Sequence, residues 1–312
     1  MRKLPGLFTI VAAVTLLATV NVASATPPTG QFSAQEYGRA QQADNGKVVA
    51  STGKDVDSST YSLAPGADTG WRTGPGTTAL AVTKGTLKVT QAEGCASRDL
   101  ATGKATVLPP GQFRLQNAGQ DAVELLANFT DLPHGGGAPL VDGPADAAPA
   151  CAGFAASAAA NGISVDKSFR GDPSPYFKQA PTAHEGGATG TTKELAVEAG
   201  KDAFMETVTL QPGFSTGWFT HTPHVAILTS GSWAFYGDKD GKCQVVEEYH
   251  AGDAWIHPIH RHLGTVVGNE PAVITLFGFN MKHGDPPPVF GSNADHLDFF
   301  QAPPSDCPTQ LR

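Results

Sequence analysis

The 312-residue sequence predicts an all-β protein made of two tandem units, each a β-sandwich or barrel. Three observations carry this. The chain repeats itself: Gly53-Lys54-Asp55, Thr60, Leu63, Pro65-Gly66 and Thr69-Gly70-Trp71 recur 147 positions later as Gly200-Lys201-Asp202, Thr207, Leu210, Pro212-Gly213 and Thr216-Gly217-Trp218. Its second half is a series of short runs rich in Val, Ile, Thr and aromatics, separated by glycine-bearing turns. Finally, 36 Gly and 24 Pro with only 16% charged residues indicate frequent turns rather than helices.

Taken in order, residues 1–25 read as a secretory signal. Arg2 and Lys3 precede an apolar run from Leu7 to Val20, and Ala23-Ser24-Ala25 closes it with a cleavage pattern. The apolar run is short for a membrane span, and no later stretch approaches the ~18–20 apolar residues a span requires. The expected localisation is therefore secreted, extracellular or periplasmic, with no membrane association after cleavage. Residues 26–45 read as an irregular N-terminal segment. The first unit is expected at 46–135, a linker and wrapping arm rich in Gly, Pro and Ala at 136–192, the second unit at 193–285, and a C-terminal tail at 286–312. A net charge of −8 without any basic run argues against nucleic acid as a partner. A homo-oligomer is left open.

Within the second unit the expected strands are Phe204–Leu210, Val225–Thr229, Ser232–Gly237, Gln244–Tyr249 and Ala272–Phe279. They are separated by G-D-K-D-G-K, A-G-D and G-N-E-P turns. With one or two residues of drift the repeat continues, setting Pro109 on Pro258, Gly119-Gln120-Asp121 on Gly268-Asn269-Glu270, and Cys95 near Cys243.

Four cysteines in an exported chain point to disulfides, and four allow three pairings. Spacing excludes none of them. The repeat favours the symmetric pairing, Cys95–Cys151 and Cys243–Cys307, which would tie each loop-rich tail to its own unit. In the chain-entropy account such links contribute on the order of 3–5 kcal/mol each.

The chemistry is crowded between Pro212 and Pro271. Eight of the ten histidines lie beyond residue 220, and six fall between His221 and His262. His221 and His224 flank a Thr-Pro turn at the start of a strand, and His262 lies beyond a second glycine-bounded hairpin, so strand pairing in a closed barrel would bring the three to one mouth. His257 and His260 are further metal candidates in the same turn, where alternation aims one inward and the other outward. Neutral imidazoles favour transition ions over Mg or Ca, which prefer oxygen ligands. Trp218, Trp233 and Trp255 fit barrel packing, and Trp218 with Phe219 stands beside the histidines as candidate pocket lining. The recurrence of Trp71 in the first unit favours packing for Trp218. Glu206, on the strand before the cluster, is a candidate acid–base group or fourth ligand. His250, His283 and His296 read as surface residues, and His184-Glu185 as a loop pair without partners.

These residues resemble the cupin family, whose first motif is similar to G-x5-H-x-H-x3-4-E-x6-G and whose second is similar to G-x5-P-x-G-x2-H-x3-N. In the second unit Gly213 is followed by five residues, Phe219-Thr220-His221, then His224 and Gly231; the second motif is met by Gly252, Pro258 and His262. The resemblance covers both units, about two thirds of the chain, and implies two tandem cupin-type double-stranded β-helix (jelly-roll) barrels, a bicupin. It implies a divalent transition metal (Zn, Fe, Cu, Ni or Mn) at His221, His224 and His262, with a small organic ligand at the barrel mouth. The departures are specific. Phe219 stands where the first histidine of H-x-H belongs, and His224 where the glutamate belongs. In the first unit Arg72, Gly74, Thr77 and Phe113 occupy the corresponding places, so that barrel is expected to hold no metal. Secreted two-cupin enzymes of oxalate decarboxylation resemble a full three-His, one-Glu set, usually in both barrels; neither unit has it. The sequence leaves open whether the second barrel is a catalytic metal centre or belongs to a non-enzymatic structural or ligand-binding protein.

Overall fold

In a computed structural model the chain is all-β, with nineteen strands, one short α-helix and one 3-10 turn among its described residues, 28–141, 160–179, 191–239, 242–259 and 261–285. The signal pattern, Cys151, Cys307, His260, His184-Glu185 and His296 lie outside them. Among the described residues no helix is long and apolar enough to cross a membrane, and no cysteine is a free thiol; both expected disulfide pairings involve a residue outside this set.

The first repeat supplies β1 (Phe32–Gln42), β2 (Gly46–Ser51), β3 (Asp55–Gly74), β4 (Thr78–Lys84), β5 (Thr86–Gln91), β6 (Ser97–Ala101), β7 (Lys104–Leu108), β8 (Gly111–Gln116) and β9 (Val123–Leu132). The second supplies β10 (Asn161–Gly171), α1 (Ser174–Gln179), β11 (Thr192–Val197), β12 (Asp202–Leu210), β13 (Ser215–Thr220), β14 (His224–Ser230), β15 (Ser232–Lys239), β16 (Lys242–His250), β17 (Ala254–His257), β18 (Arg261–Val266) and β19 (Ala272–Met281). Barrel 2 is a jelly roll of two facing layers, β17-β14-β19-β12 and β13-β18-β15-β16. Barrel 1 repeats it, except that the 20-residue β3 runs through both layers where β12 and β13 are separate.

The repeat extends further than the sequence showed, because each repeat lends its first strand to the other barrel. β1 pairs antiparallel with β12, and β10 with β3. The segments expected to be irregular at 26–45 and to be linker at 136–192 therefore contain β1, β10 and α1. Their sequences lack apolar alternation because these strands are largely exposed and are held by backbone pairing to a neighbour's edge. That signal is absent from local composition.

The exchange is fastened in the same way on both sides. Asp55 accepts hydrogen bonds from His134 Nδ1 and the Gly135 N–H (3.1 Å), and Arg170 Nε of β10 donates to it at 2.7 Å. In barrel 2, Asp202 accepts from His283 Nδ1 (2.7 Å) and the Gly284 N–H (3.3 Å), and Arg39 of β1 donates to the Asp285 carbonyl alongside. His283 is thus exposed, as expected, yet clasped.

The barrels are packed as one body. The larger apolar cluster runs from Val208, Ile227 and Phe277 of barrel 2 through Ala40, Ala79, Ala81 and Leu126 of the first repeat, and small side chains there let the sheets approach closely. Barrel 1 has its own core, including Leu108, Phe113, Phe129 and Leu63.

Candidate metal centre

Four histidines meet inside barrel 2, and strand geometry explains each. His221 sits in the turn between β13 and β14, where the Pro223 carbonyl accepts the Phe279 N–H at 2.8 Å and ties that turn to β19. His224 opens β14 and pairs across the ladder with His257, the last residue of β17. His262 on β18 pairs with Phe219 on β13. Directly opposed residues in an antiparallel pair point to one face, and all four imidazoles are buried. Ring centroids lie 4.3 Å apart for His221–His224, 4.7 Å for His221–His262, 5.6 Å for His224–His257 and 5.3 Å for His257–His262.

The tightest donor set differs from the expected one by one member. His221, His224 and His257 each bring a ring nitrogen within 4.8 Å of the others'. His262 is not in that nitrogen set, yet its ring lies 4.7 Å from His221, nearer than His257's at 5.6 Å, and it borders the cavity beside His221 and Phe235. Of the pair expected in the second turn, His257 is buried and points inward, and His260 lies outside the described residues.

Hydrogen bonding sets the ring orientations. The Thr222 carbonyl accepts from Nδ1–H of both His221 (2.8 Å) and His224 (3.1 Å), so both carry their proton on Nδ1 and their lone pair on Nε2. Glu247 Oε2 lies 2.8 Å from His257 Nε2 and accepts the Tyr249 hydroxyl at 2.7 Å. With its Nε2 proton on Glu247, His257 presents Nδ1 as its donor. A histidine that hands its second ring N–H to a carbonyl or carboxylate is the usual arrangement for a metal ligand. Ligand nitrogens stand ~2.0–2.1 Å from zinc, and the trio is close enough for small side-chain rotations to bring all three onto one ion. Three imidazoles fit a divalent transition ion by donor type. One contact opposes this fit: the Trp255 indole N–H donates to His224 Nε2 at 3.2 Å, so both nitrogens of His224 are engaged.

Around the histidines lies a cavity of about 30 Å³, bordered by Phe204, Phe219, Trp233, Phe235, Trp255 and Leu276 among others. Trp218, expected either to pack or to line the pocket, packs: it faces the other side of β13 against Leu263, Tyr236 and Cys243. Adjacent strand residues point to opposite faces, which sends Phe219 inward and Trp218 outward. Glu247, Tyr249 and Thr222 were missed from the sequence. The available signal was a charged residue at an inward position of β16, since Glu247 and Tyr249 are buried and Glu248 between them is exposed.

Barrel 1 has the same constellation without ligands. Register aligns His257 with Leu108 and His262 with Phe113, while His224 falls on Thr78 rather than on Thr77, because the preceding turn is longer in the first repeat. A Cβ added at Gly74, the counterpart of His221, would meet Thr78 Oγ1 at 2.9 Å and the Phe113 ring at 3.3 Å. The equivalent positions thus converge, and Leu108 and Phe113 fill the space with the apolar core of that barrel. A second cluster, Asp55 with His134 and Asp172, already has the Arg170 guanidinium as its cation and belongs to the strand clasp.

No protein-family model matches the sequence, and no curated protein matches it. Among solved structures the chain is similar to a tryptophan-to-phenylalanine variant of oxalate decarboxylase from Bacillus subtilis, at 16% identity over 80% of this chain and 78% of that one, with a TM-score of 0.31. It is similar as well to the oxalate decarboxylase of Bacillus subtilis at pH 4.6, at 15% identity over 80% and 76%, with a TM-score of 0.29. At these values no activity passes from them to this chain.

Proposed function

We propose that barrel 2 of this exported protein is a metal centre with a small, apolar-walled ligand chamber. His221, His224 and His257 hold a divalent transition ion, and His262 borders the same cavity beside His221. The observation that carries this reading is that all three histidines hand one ring N–H to a fixed acceptor, the Thr222 carbonyl or the Glu247 carboxylate. When bound there, such an ion would supply Lewis acidity, lowering the pKa of a water towards ~7 or polarising a carbonyl. The chain's own residues do the rest. Glu247 and Tyr249 orient His257, the Thr222 carbonyl orients His221 and His224, and Phe204, Phe219, Phe235 and Leu276 keep the chamber dry and admit only a ligand of few atoms.

Metal analysis of the mildly purified protein tests the reading. About one ion per chain is expected, falling sharply in His221→Ala and His257→Ala; less than about 0.2 per chain in the native protein, unchanged by the substitutions, refutes it. The Trp255–His224 bond favours a second reading, a metal-free ligand-binding module in which the histidines form a closed polar network. Tight binding of a small molecule that is indifferent to added metal would support it.

A further inference from the structure

Barrel 2 buries a second carboxyl, Glu206, in the middle of β12. Register sets it on the inner face: it stands opposite Leu276 of β19 and two residues along from Phe204, and both of those side chains wall the histidine cavity. Glu206 is 1% exposed, and its Oε2 has no hydrogen-bond partner among the described residues. A buried polar atom left open in a native fold calls for a reason.

Barrel 1 supplies the contrast. By register Glu206 corresponds to Ser59, and Phe204 to Asp57. Asp57 is as deeply buried, yet both of its carboxyl oxygens are satisfied, one by the Ser59 hydroxyl and the other by the Ser168 hydroxyl at 3.0 Å. The barrel without histidines closes its interior carboxyl on its own hydroxyls. The barrel with histidines leaves one oxygen of its carboxyl open, on the strand face that carries Phe204 to the cavity and behind the lining residue Leu276.

The charged surroundings of Glu206 are few. Glu36 and Arg39 face it from β1, β19 contributes no titratable side chain, and the histidines belong to the turn and strands across the cavity. Burial, reinforced by Glu36 and opposed by Arg39, pushes its carboxyl up to about 8. At neutral pH it is an O–H donor on a strand whose cavity-lining side chain, Phe204, offers only carbon.

We propose that Glu206 is the recognition group for a small anion in barrel 2, its O–H donating to one end while the other end faces the histidine cluster. This rests on the metal-centre reading for the anion's counter-charge, and it narrows the ligand class to anions of few atoms, as the cavity demands.

Azide, which stays ionised from pH 6 to pH 9, is a suitable probe, and its infrared stretch reports binding with or without an ion. In zinc-treated native protein, affinity should fall about tenfold more between pH 6 and pH 9 than in Glu206→Gln, which keeps a neutral donor throughout. Glu206→Leu should bind about tenfold more weakly at pH 6. Equal declines with pH in native and Gln proteins, or equal affinity of native and Leu proteins at pH 6, overturn the proposal. Zinc content measured on the same samples separates the two claims. Full zinc with Glu206-independent azide binding sinks this inference alone, whereas absent zinc sinks the metal reading and leaves Glu206 to be judged by the same Gln and Leu comparisons.

Discussion

Glu247 Oε2 lies 2.8 Å from His257 Nε2, and both side chains are buried. The carboxylate cannot be a bystander in so dry a place. It fixes which nitrogen of His257 carries the proton, and Tyr249, whose phenol is held protonated by burial and by Glu247's charge, completes its hydrogen bonding. Glu247→Gln should therefore weaken zinc affinity about 10–100-fold, the usual cost of losing such a partner. Tyr249→Phe should weaken it less. Chelator competition on folded variants measures both, with the circular-dichroism spectrum as control.

Trp255 makes the opposite prediction. Its indole N–H occupies His224 Nε2, a bond that must be given up when that nitrogen takes an ion. A hydrogen bond of this kind contributes about 1 kcal/mol net. Trp255→Phe should raise zinc affinity several-fold while lowering the stability of the metal-free protein. Competition titration and thermal unfolding without metal check the two signs.

Stability should change with pH through Glu206. A carboxyl whose folded pKa is raised contributes no penalty below its unfolded value, near 4.5, and an increasing one as pH climbs to about 8. Glu206→Gln should match the native protein near pH 4 and exceed it above pH 8, by on the order of a few kcal/mol. Denaturant unfolding across pH 4–9 reads the difference, and a constant gap at all pH values would contradict it.

The acid limb has another origin. Burial works against the charge on Asp55, but Arg170, the Gly135 N–H and His134 outweigh it, and its pKa is lowered. Asp68 is lowered likewise, burial being outweighed by Arg114, the Gly70 N–H and Gln116. Their stabilisation is present above the ordinary carboxylate range and is lost as pH falls through the lowered folded values. Arg170→Ala should cost on the order of 2 kcal/mol at pH 7 and less at pH 2–3. Because Arg170 sits on β10, the strand that the second repeat lends to barrel 1, the same variant should loosen that strand in hydrogen exchange.

The repeat, the strand runs and the histidine crowding were legible in the sequence because each is local: a glycine-framed turn, an alternating run, a cluster within about one repeat. Strand exchange was not legible. Phe32–Gln42 and Asn161–Gly171 have no apolar stripe of their own and become strands only against β12 and β3. For the same reason His257 ranked below His262 in motif terms, although its pairing with His224 puts it in the tightest donor set. Glu247 was hidden because it lies in a run, Gln244–Tyr249, whose two adjacent glutamates look alike until the strand turns one of them inward.

The most direct measurement is the anomalous-scattering map of a crystal of the zinc-loaded protein. A single strong peak is expected inside barrel 2, ~2.0–2.1 Å from Nε2 of His221, Nε2 of His224 and Nδ1 of His257, with the Trp255 indole turned from His224 and no peak at Gly74, Thr78 and Phe113 of barrel 1. A barrel 2 without zinc, its Trp255–His224 bond intact at saturating metal, would contradict the account.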